Sequence, residues 1–298
     1  APYYSTLINE SHQTIAIVAT IAMNSDNPNA VVDAAEHINH VLNDFRLTHN
    51  AHRFDATGIV MMNDAFAKHL LQDLKTLVPL CNIVMFFLIM YLFRSILVAS
   101  YILILSGLCN LVAIGIATLS GILLTPPSGM SAIIIVTIMV ASCIHILCVA
   151  SQIGGEWQQR IKKAVEKTKL PISITCLTTM AGFLSLNLTN TPPYHDLGNI
   201  TALGIFCVLF VSLRLFPWCL SLKPITLTPS IRFNWTSYVE LVSLHTRTIT
   251  VIGILLLGFC AYFTSKLVIN DKFTNWFSKN TDFSQQTEFI SKNLTDLY

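Results

Sequence analysis

The side chain best suited to chemistry in this chain is a histidine within a long apolar stretch. Residues 130–151 contain no acidic or basic residue except His145, and Thr137, Ala141 and His145 recur every fourth position. Such spacing places the three on one face of a helix, with Ser142 beside them. An ionisable group at membrane depth is costly and by default faces the protein interior. Histidine exchanges protons near neutral pH, so His145 is a candidate proton relay, or else a neutral, hydrogen-bonded interior histidine.

Small and hydroxyl residues form stripes in the two following apolar stretches. The first stripe is Thr175, Thr178, Thr179, Gly182 and Ser185, and the second is Gly198, Thr201, Ala202 and Gly204. Residues of this kind let helices approach closely and hydrogen-bond to one another. Packing alone accounts for Gly182, Gly198 and Ala202. The functional alternative is that the hydroxyls, Thr178 and Thr179 above all, face the central helix and hydrate a proton path. Asn110 is a further interior polar candidate.

No motif for catalysis or metal binding accompanies these residues. The sequence has no nucleophile elbow and no HExxH, CxxC or P-loop spacing, so we expect neither an enzyme nor a cofactor or metal site. His37 and His40 share a helix face but are interpreted as surface residues. The eight cysteines lie in apolar runs, or at the end of one, as small core residues do. A net charge of +2 does not indicate a nucleic-acid partner.

Composition places these candidates in a membrane. Hydrophobic residues make up 53% of the 298 residues and charged residues only 11%, against about 25% charged in soluble domains. A spanning helix needs roughly 20 apolar residues. The sequence predicts six spans with 130–151 at the centre of the bundle: about 77–93, 96–124, 130–151, 171–188, 197–222 and 249–268.

The ends of the chain have soluble character. Residues 13–23 and 56–64 are predicted as strands, the first of them buried, and residues 25–46 and 65–77 as helices. This order predicts an incomplete α+β unit over 1–76, and residues 269–298 are again polar. The expected fold is an all-α polytopic bundle of six transmembrane helices over 77–268, with partial α+β domains at both ends. The chain lacks an initiator methionine, and we expect a fragment.

Lysine and arginine predict the orientation. The segments 152–170 and 214–247 are basic, whereas 125–129 and 189–196 have no Lys or Arg. The positive-inside rule places 152–170 and 223–247 in the cytoplasm, and 125–129, 189–196 and both soluble ends outside. Residues 156–169 have one apolar face and one basic face, which is typical of a helix lying in the membrane interface. A solvated linker helix is the alternative.

Four stretches make the chain resemble the resistance-nodulation-division (RND) superfamily. They are ATGIVMMNDAFAKHLLQDLKTLVPL (56–80), VASCIHIL (140–147), AVEKTKLPISITCLTTMAGFLSL (164–186) and VINDKFTNWFSKNTDF (268–283). The third stretch and the overall order are the specific parts. The chain looks most like the branch with MMPL-type lipid exporters and the sterol-sensing proteins Patched and Dispatched.

This resemblance implies the end of a first porter domain, family spans two to seven, and the start of a second porter domain. A second half of the same protein would follow, and a homo-oligomer is an open alternative. The implied function is gradient-driven export of lipids or other hydrophobic or amphipathic molecules through a bacterial inner (plasma) membrane. The family's acidic residue aligns with Ala141 or Ser142, and neither is acidic. The alternative is therefore a sterol-sensing-type protein that binds lipid and regulates without pumping.

Overall fold

A computed structural model describes residue 8 and residues 13–22, 30–122, 124–225, 235–267 and 277–294. Throughout these residues the regular structure is helical, apart from an isolated antiparallel bridge between Ile8 and Ile15. By its internal contacts the chain forms two compact units. One comprises residues 67–233, and the other comprises residues 1–66 together with 234–298.

The described residues form ten α-helices of six or more residues, which are numbered here in chain order. They are α1 (Ala30–Thr48), α2 (Ile59–Phe93), α3 (Ile96–Leu119), α4 (Ser131–Gln152), α5 (Trp157–Leu184), α6 (Pro192–Phe210), α7 (Phe216–Ser221), α8 (Trp235–Leu244), α9 (Thr246–Thr264) and α10 (Asp282–Asn293). A helical turn, Pro126–Gly129, precedes α4, a 3₁₀ turn, Ser185–Leu188, follows α5, and a π-helical segment, Val211–Leu215, joins α6 to α7.

Within the described residues, six helical stretches are long and apolar enough to cross a membrane, which confirms the number of predicted spans. They are Ile59–Phe93, Ile96–Leu119, Pro126–Gln152, Trp157–Leu188, Pro192–Ser221 and Thr246–Thr264. The predicted helix 65–77 does run directly into the first span as α2. The turn to α3 is made by Arg94 in a left-handed conformation (φ 51°) and by Ser95, whose Oγ accepts a hydrogen bond from the Val98 amide.

Helices α3, α4, α5 and α6 form the packed part of the unit 67–233. Half of the apolar stretch that contains α4 is buried, the largest share among the six. Helix α6 contacts α3, α4 and α5, so it shares the centre with α4. The fully buried side chains between these helices include Ile102, Ile135, Met139, Ile146, Leu147 and Ile205.

The predicted strands do not form in the described residues. In 13–22 only Ile15 makes a bridge, and Ile17 is 92% exposed. β-Branched residues favour extended backbone, but a strand also needs a neighbour that satisfies its hydrogen bonds. In the second predicted strand, 56–64, Gly58 turns the chain (φ 115°) and α2 begins at Ile59. A short apolar run cannot distinguish strand from helix, and here it belongs to a helix.

The helix predicted over 25–46 is present as α1, while its predicted cap, 25–29, lies outside the described residues. The unit with the chain ends joins segments 230 residues apart. Thr57 Oγ1 and Thr287 Oγ1 are 2.8 Å apart, and the Phe66 and Phe277 rings are 4.6 Å apart between centroids. Residues from the two predicted end domains therefore belong to one unit.

The basic segment 156–169 does not form a separate interfacial helix. Helix α5 continues from Trp157 through Pro171 to Leu184. Its predicted apolar face is buried against protein, with Trp157 9%, Ile161 3% and Ala164 0% exposed. The amphipathic pattern is correct, but neighbouring helix ends cover the face that was expected to contact lipid.

Candidate functional site

The stripe with His145 lies on the outer surface of the unit 67–233. Thr137, Ala141 and His145 are exposed, whereas Ser142 is buried with the opposite face of α4. The Thr137 hydroxyl donates to the Ile133 carbonyl at 2.8 Å, and His145 makes no hydrogen bond or ion pair with any described residue. The expectation that His145 faces the interior does not hold within this unit, because large apolar residues fill the inner face of α4.

The hydroxyl stripe of α5 is also largely on the surface. Thr175, Thr178, Gly182 and Ser185 are exposed, and Thr179 is half-buried. The hydroxyls donate to carbonyls of their own helix, Thr178 to Ile174 at 2.9 Å and Thr179 to Thr175 at 2.7 Å. These hydrogen bonds stay within α5 and do not link it to another helix. Each hydroxyl uses only its donor in them, so its oxygen can still accept a hydrogen bond from water or a polar partner.

The three predicted packing residues have different surroundings. A Cβ at Gly198 would lie 2.4 Å from the Phe183 carbonyl oxygen, whereas a Cβ at Gly182 would meet nothing within 4 Å. Ala202 is 4% exposed. Six residues beyond Gly198, a Cβ at Gly204 would lie 2.1 Å from Ile135 Cδ1. Helix α6 therefore makes close backbone approaches to α5 and α4 through Gly198 and Gly204.

An amide pair closes the end of the α5–α6 hairpin. Asn187 Nδ2 donates to Asn199 Oδ1 at 2.9 Å, and Asn199 Nδ2 donates back to Asn187 Oδ1 at 3.1 Å. His195 Nε2 lies 2.8 Å from the Thr189 carbonyl oxygen. Sequence reasoning missed this pair, although two asparagines flanking one short loop were a signal for it.

Two enclosed polar atoms of the bundle core have no hydrogen-bond partner in the described part of the chain. Thr201 is 0% exposed and its Oγ1 has none, and the enclosed Asn110 Oδ1 has none either. Asn110 Nδ2 donates to the Ser106 carbonyl at 3.2 Å. A buried unsatisfied group costs about 1–3 kcal/mol, and bound water commonly satisfies such groups. Asn110, predicted as an interior polar candidate, thus presents an open acceptor to the bundle interior.

The first turn of α5 holds the ends of two other spans. Trp157 Nε1 donates to the Leu220 carbonyl at 2.7 Å, and Arg160 donates to the Ala150 carbonyl through Nε at 3.1 Å and Nη2 at 2.9 Å. The last carbonyls of a helix have no partner within the helix. These two side chains therefore satisfy the carboxyl ends of α4 and α7. No sequence pattern indicated these contacts.

The exposed stripes of α4 and α5 carry groups that can exchange protons and form hydrogen bonds. Over the described ranges, no three His, Cys, Asp or Glu side chains are placed to hold a metal ion. The surface of α4 and α5 offers one imidazole and several hydroxyls. These groups can pass protons or bind water.

Comparison with known proteins identifies the chain. A family model described as the MMPL family matches residues 9–223, which include the first five spans and the stripes of α4, α5 and α6. No curated protein matches the chain. The six apolar helices and this match make it a multi-pass integral membrane protein. The chain belongs to the MMPL family, of RND transporter type.

Proposed function

We propose that this chain forms part of an RND-type exporter of lipids or other hydrophobic or amphipathic molecules, driven by an ion gradient. The observation that carries the proposal is the family match over residues 9–223. Its location is a bacterial inner membrane, with the lipid bilayer as its environment. The proposed activity is transport and not catalysis, because the open face holds groups that relay protons but no activated nucleophile.

The proposed coupling site is His145, with the hydroxyls of Thr137 on α4 and of Thr178 and Thr179 on α5 farther along the same two helices. Support comes from its position, since it is an ionisable residue in a span and on an uncovered face. Such residues normally face protein or a water-filled cavity. We propose that a second half of the same protein, or a second copy of the chain, covers the stripe. Thr137 of α4 and Thr178 and Thr179 of α5 then help to hydrate the proton path, whereas Ser142, buried on the inner face of α4, does not reach it.

Residues 1–76 and 269–298 are proposed to belong to extracytoplasmic porter-type domains of α+β class. Support comes from their polar composition and from the contacts between residues 53–66 and 277–294. Cargo binding would then lie outside the membrane, and the bundle would couple proton movement to motion of the porter domains.

The alternative function is a sterol-sensing-type protein that binds lipid and regulates without pumping. One specific observation favours it. The family's acidic position is occupied by Ala141 or Ser142, so α4 has no carboxylate to take up protons.

Replacing His145 by glutamine tests the coupling site. Glutamine keeps hydrogen-bonding capacity but cannot titrate, so we expect normal folded yield and a loss of at least about tenfold in gradient-driven flux. The measurement uses the full-length protein in proteoliposomes with an imposed pH gradient. An entrapped pH dye reports protons, and a fluorescent phosphatidylethanolamine reports lipid movement. His145→Ala should lose flux in the same way.

The matched control is His245→Gln, which changes another exposed histidine. It should transport normally. Normal flux in His145→Gln would remove His145 from the mechanism. Absence of proton-coupled flux in the wild-type protein, with labelling by a photoreactive sterol, would favour the regulatory alternative.

The proposed orientation is tested by cysteine labelling in a background without native cysteines. Asn190→Cys should react with an impermeant maleimide added outside the cell, and Gln159→Cys only after the membrane is opened. Both positions are exposed, unlike Ser128, which is fully buried in the 125–129 turn. The opposite labelling pattern would invert the topology.

A further inference from the structure

An open groove lies between the first turns of α5 and helix α7. It has a volume of about 320 Å³, and its walls include Lys162 and Val165 of α5 and Pro217 and Trp218 of α7. Trp218 is 58% exposed, which is high for a tryptophan in so apolar a segment. The groove therefore combines a cationic side chain, an aliphatic wall and an available indole.

Above the groove, one exposed stripe continues along α6. Phe206, Phe210, Arg214 and Trp218 recur every fourth residue and are all exposed. The Phe206 and Phe210 rings pack 5.0 Å apart between centroids. Arg214 lies in the π-helical segment between α6 and α7. The stripe thus places two aromatic rings, a guanidinium and an indole in order along the outside of a membrane span.

Arg214 has no anionic partner among the residues that the structure describes. Among the described residues none forms a hydrogen bond or ion pair with it, although it lies within the span Pro192–Ser221. A charged side chain in a span is costly unless it reaches water or an opposite charge. The lipid phosphate is the anion available on the outer surface of a membrane protein.

The adjacent part of α5 adds positive charge at the same end of the bundle. Lys162 lines the groove, and Lys169, one turn beyond Val165, is exposed. Glu166 is the one carboxylate in the groove wall. Lys162 and Glu166 balance within the groove wall, and Arg214 and Lys169, which lie outside it, bring the named charges to three cations and one carboxylate. This excess favours an anion over a zwitterion, and basic pockets between spans bind acidic lipid headgroups.

We propose that this groove and stripe bind one anionic phospholipid. Arg214 and Lys162 hold its phosphate and headgroup, Trp218 packs at the interface, and the acyl chains follow Phe210 and Phe206 toward the membrane centre. In the orientation proposed above this is a lipid of the cytoplasmic leaflet. The site goes beyond the transport proposal and does not depend on it, since it involves neither His145 nor the α5 hydroxyl stripe.

Tryptophan quenching tests the site. The full-length protein is reconstituted in phosphatidylcholine bilayers with equal fractions of brominated phosphatidylglycerol or brominated phosphatidylcholine. We expect stronger quenching by brominated phosphatidylglycerol, and loss of the excess in Trp218→Phe. Arg214→Gln and Lys162→Gln should each lower the preference for phosphatidylglycerol about fivefold, the effect of one cation at the membrane surface.

Lys163→Gln is the matched control, because Lys163 is exposed on the same helix but does not line the groove. It should keep the preference. Equal quenching by the two lipids in the wild-type protein would overturn the proposal. An equal loss of preference in Lys163→Gln would also overturn it, since diffuse surface charge would then explain the effect. Lys162 is exposed near the start of α5, so its variant provides the test even where Arg214→Gln does not fold.

Discussion

The inner and outer faces of α4 differ in what surrounds their side chains. The inner face presents Ile135, Met139 and Ile146, which are fully buried against neighbouring helices. The outer face presents Thr137 and His145, and no described residue covers them. In lipid, an apolar side chain gains little by leaving the acyl chains, so close packing holds the inner face. A polar side chain on the outer face needs water or another protein surface. Stability and coupling are therefore expected to depend on opposite sides of one helix.

The largest expected effect is the loss of stability caused by a methyl group at Gly198, compared with the same change at Gly182. Gly198→Ala should destabilise the protein by about 3 kcal/mol, because the new methyl group meets a backbone carbonyl that cannot move without shifting α5. Gly182→Ala makes the same chemical change in open space. It should be neutral or stabilising by at most about 1 kcal/mol. Thermal unfolding in detergent measures both, and equal effects would show that Gly198 is not at a close approach.

A smaller effect is expected from a cavity in the inner face. Ile146→Ala should cost about 2 kcal/mol, since the transfer term is small in lipid and the cavity term remains. Thr137→Ala, on the outer face of the same helix, should change stability by less than about 0.5 kcal/mol. Chemical denaturation in mixed micelles compares them. A larger loss for Thr137→Ala would mean that the outer face is covered and not open.

The smallest expected effect tests the contact between α5 and the end of α7. Trp157→Phe keeps most of the ring but leaves the Leu220 carbonyl without its donor, at a cost of about 1–2 kcal/mol. Trp218→Phe changes an exposed tryptophan and should have little effect when no anionic phospholipid is present. The melting temperature in detergent separates the two. Equal melting temperatures would indicate that water replaces the indole donor at Leu220.

The membrane class and the number of spans could be predicted because long apolar runs have few alternatives in sequence. Polar side chains limit the ends of each run, so α4 begins within one residue of its predicted start. The segments 13–23 and 56–64 are predicted as strands, and these strands do not form in the described residues. Their pairing depends on distant segments, and a short apolar run fits helix and strand equally well.

The sequence by itself determined that His145 shares a helix face with Thr137 and that Gly198 lies in a stripe of small residues. Helical periodicity is local, so spacing alone establishes which side chains stand together. Only the tertiary structure decided which way each face points, because orientation depends on the neighbours that a helix acquires. It left His145 on the open surface and brought Gly198 against the Phe183 carbonyl. It also joined Trp157 to Leu220 across 63 residues, a contact that no local pattern encodes.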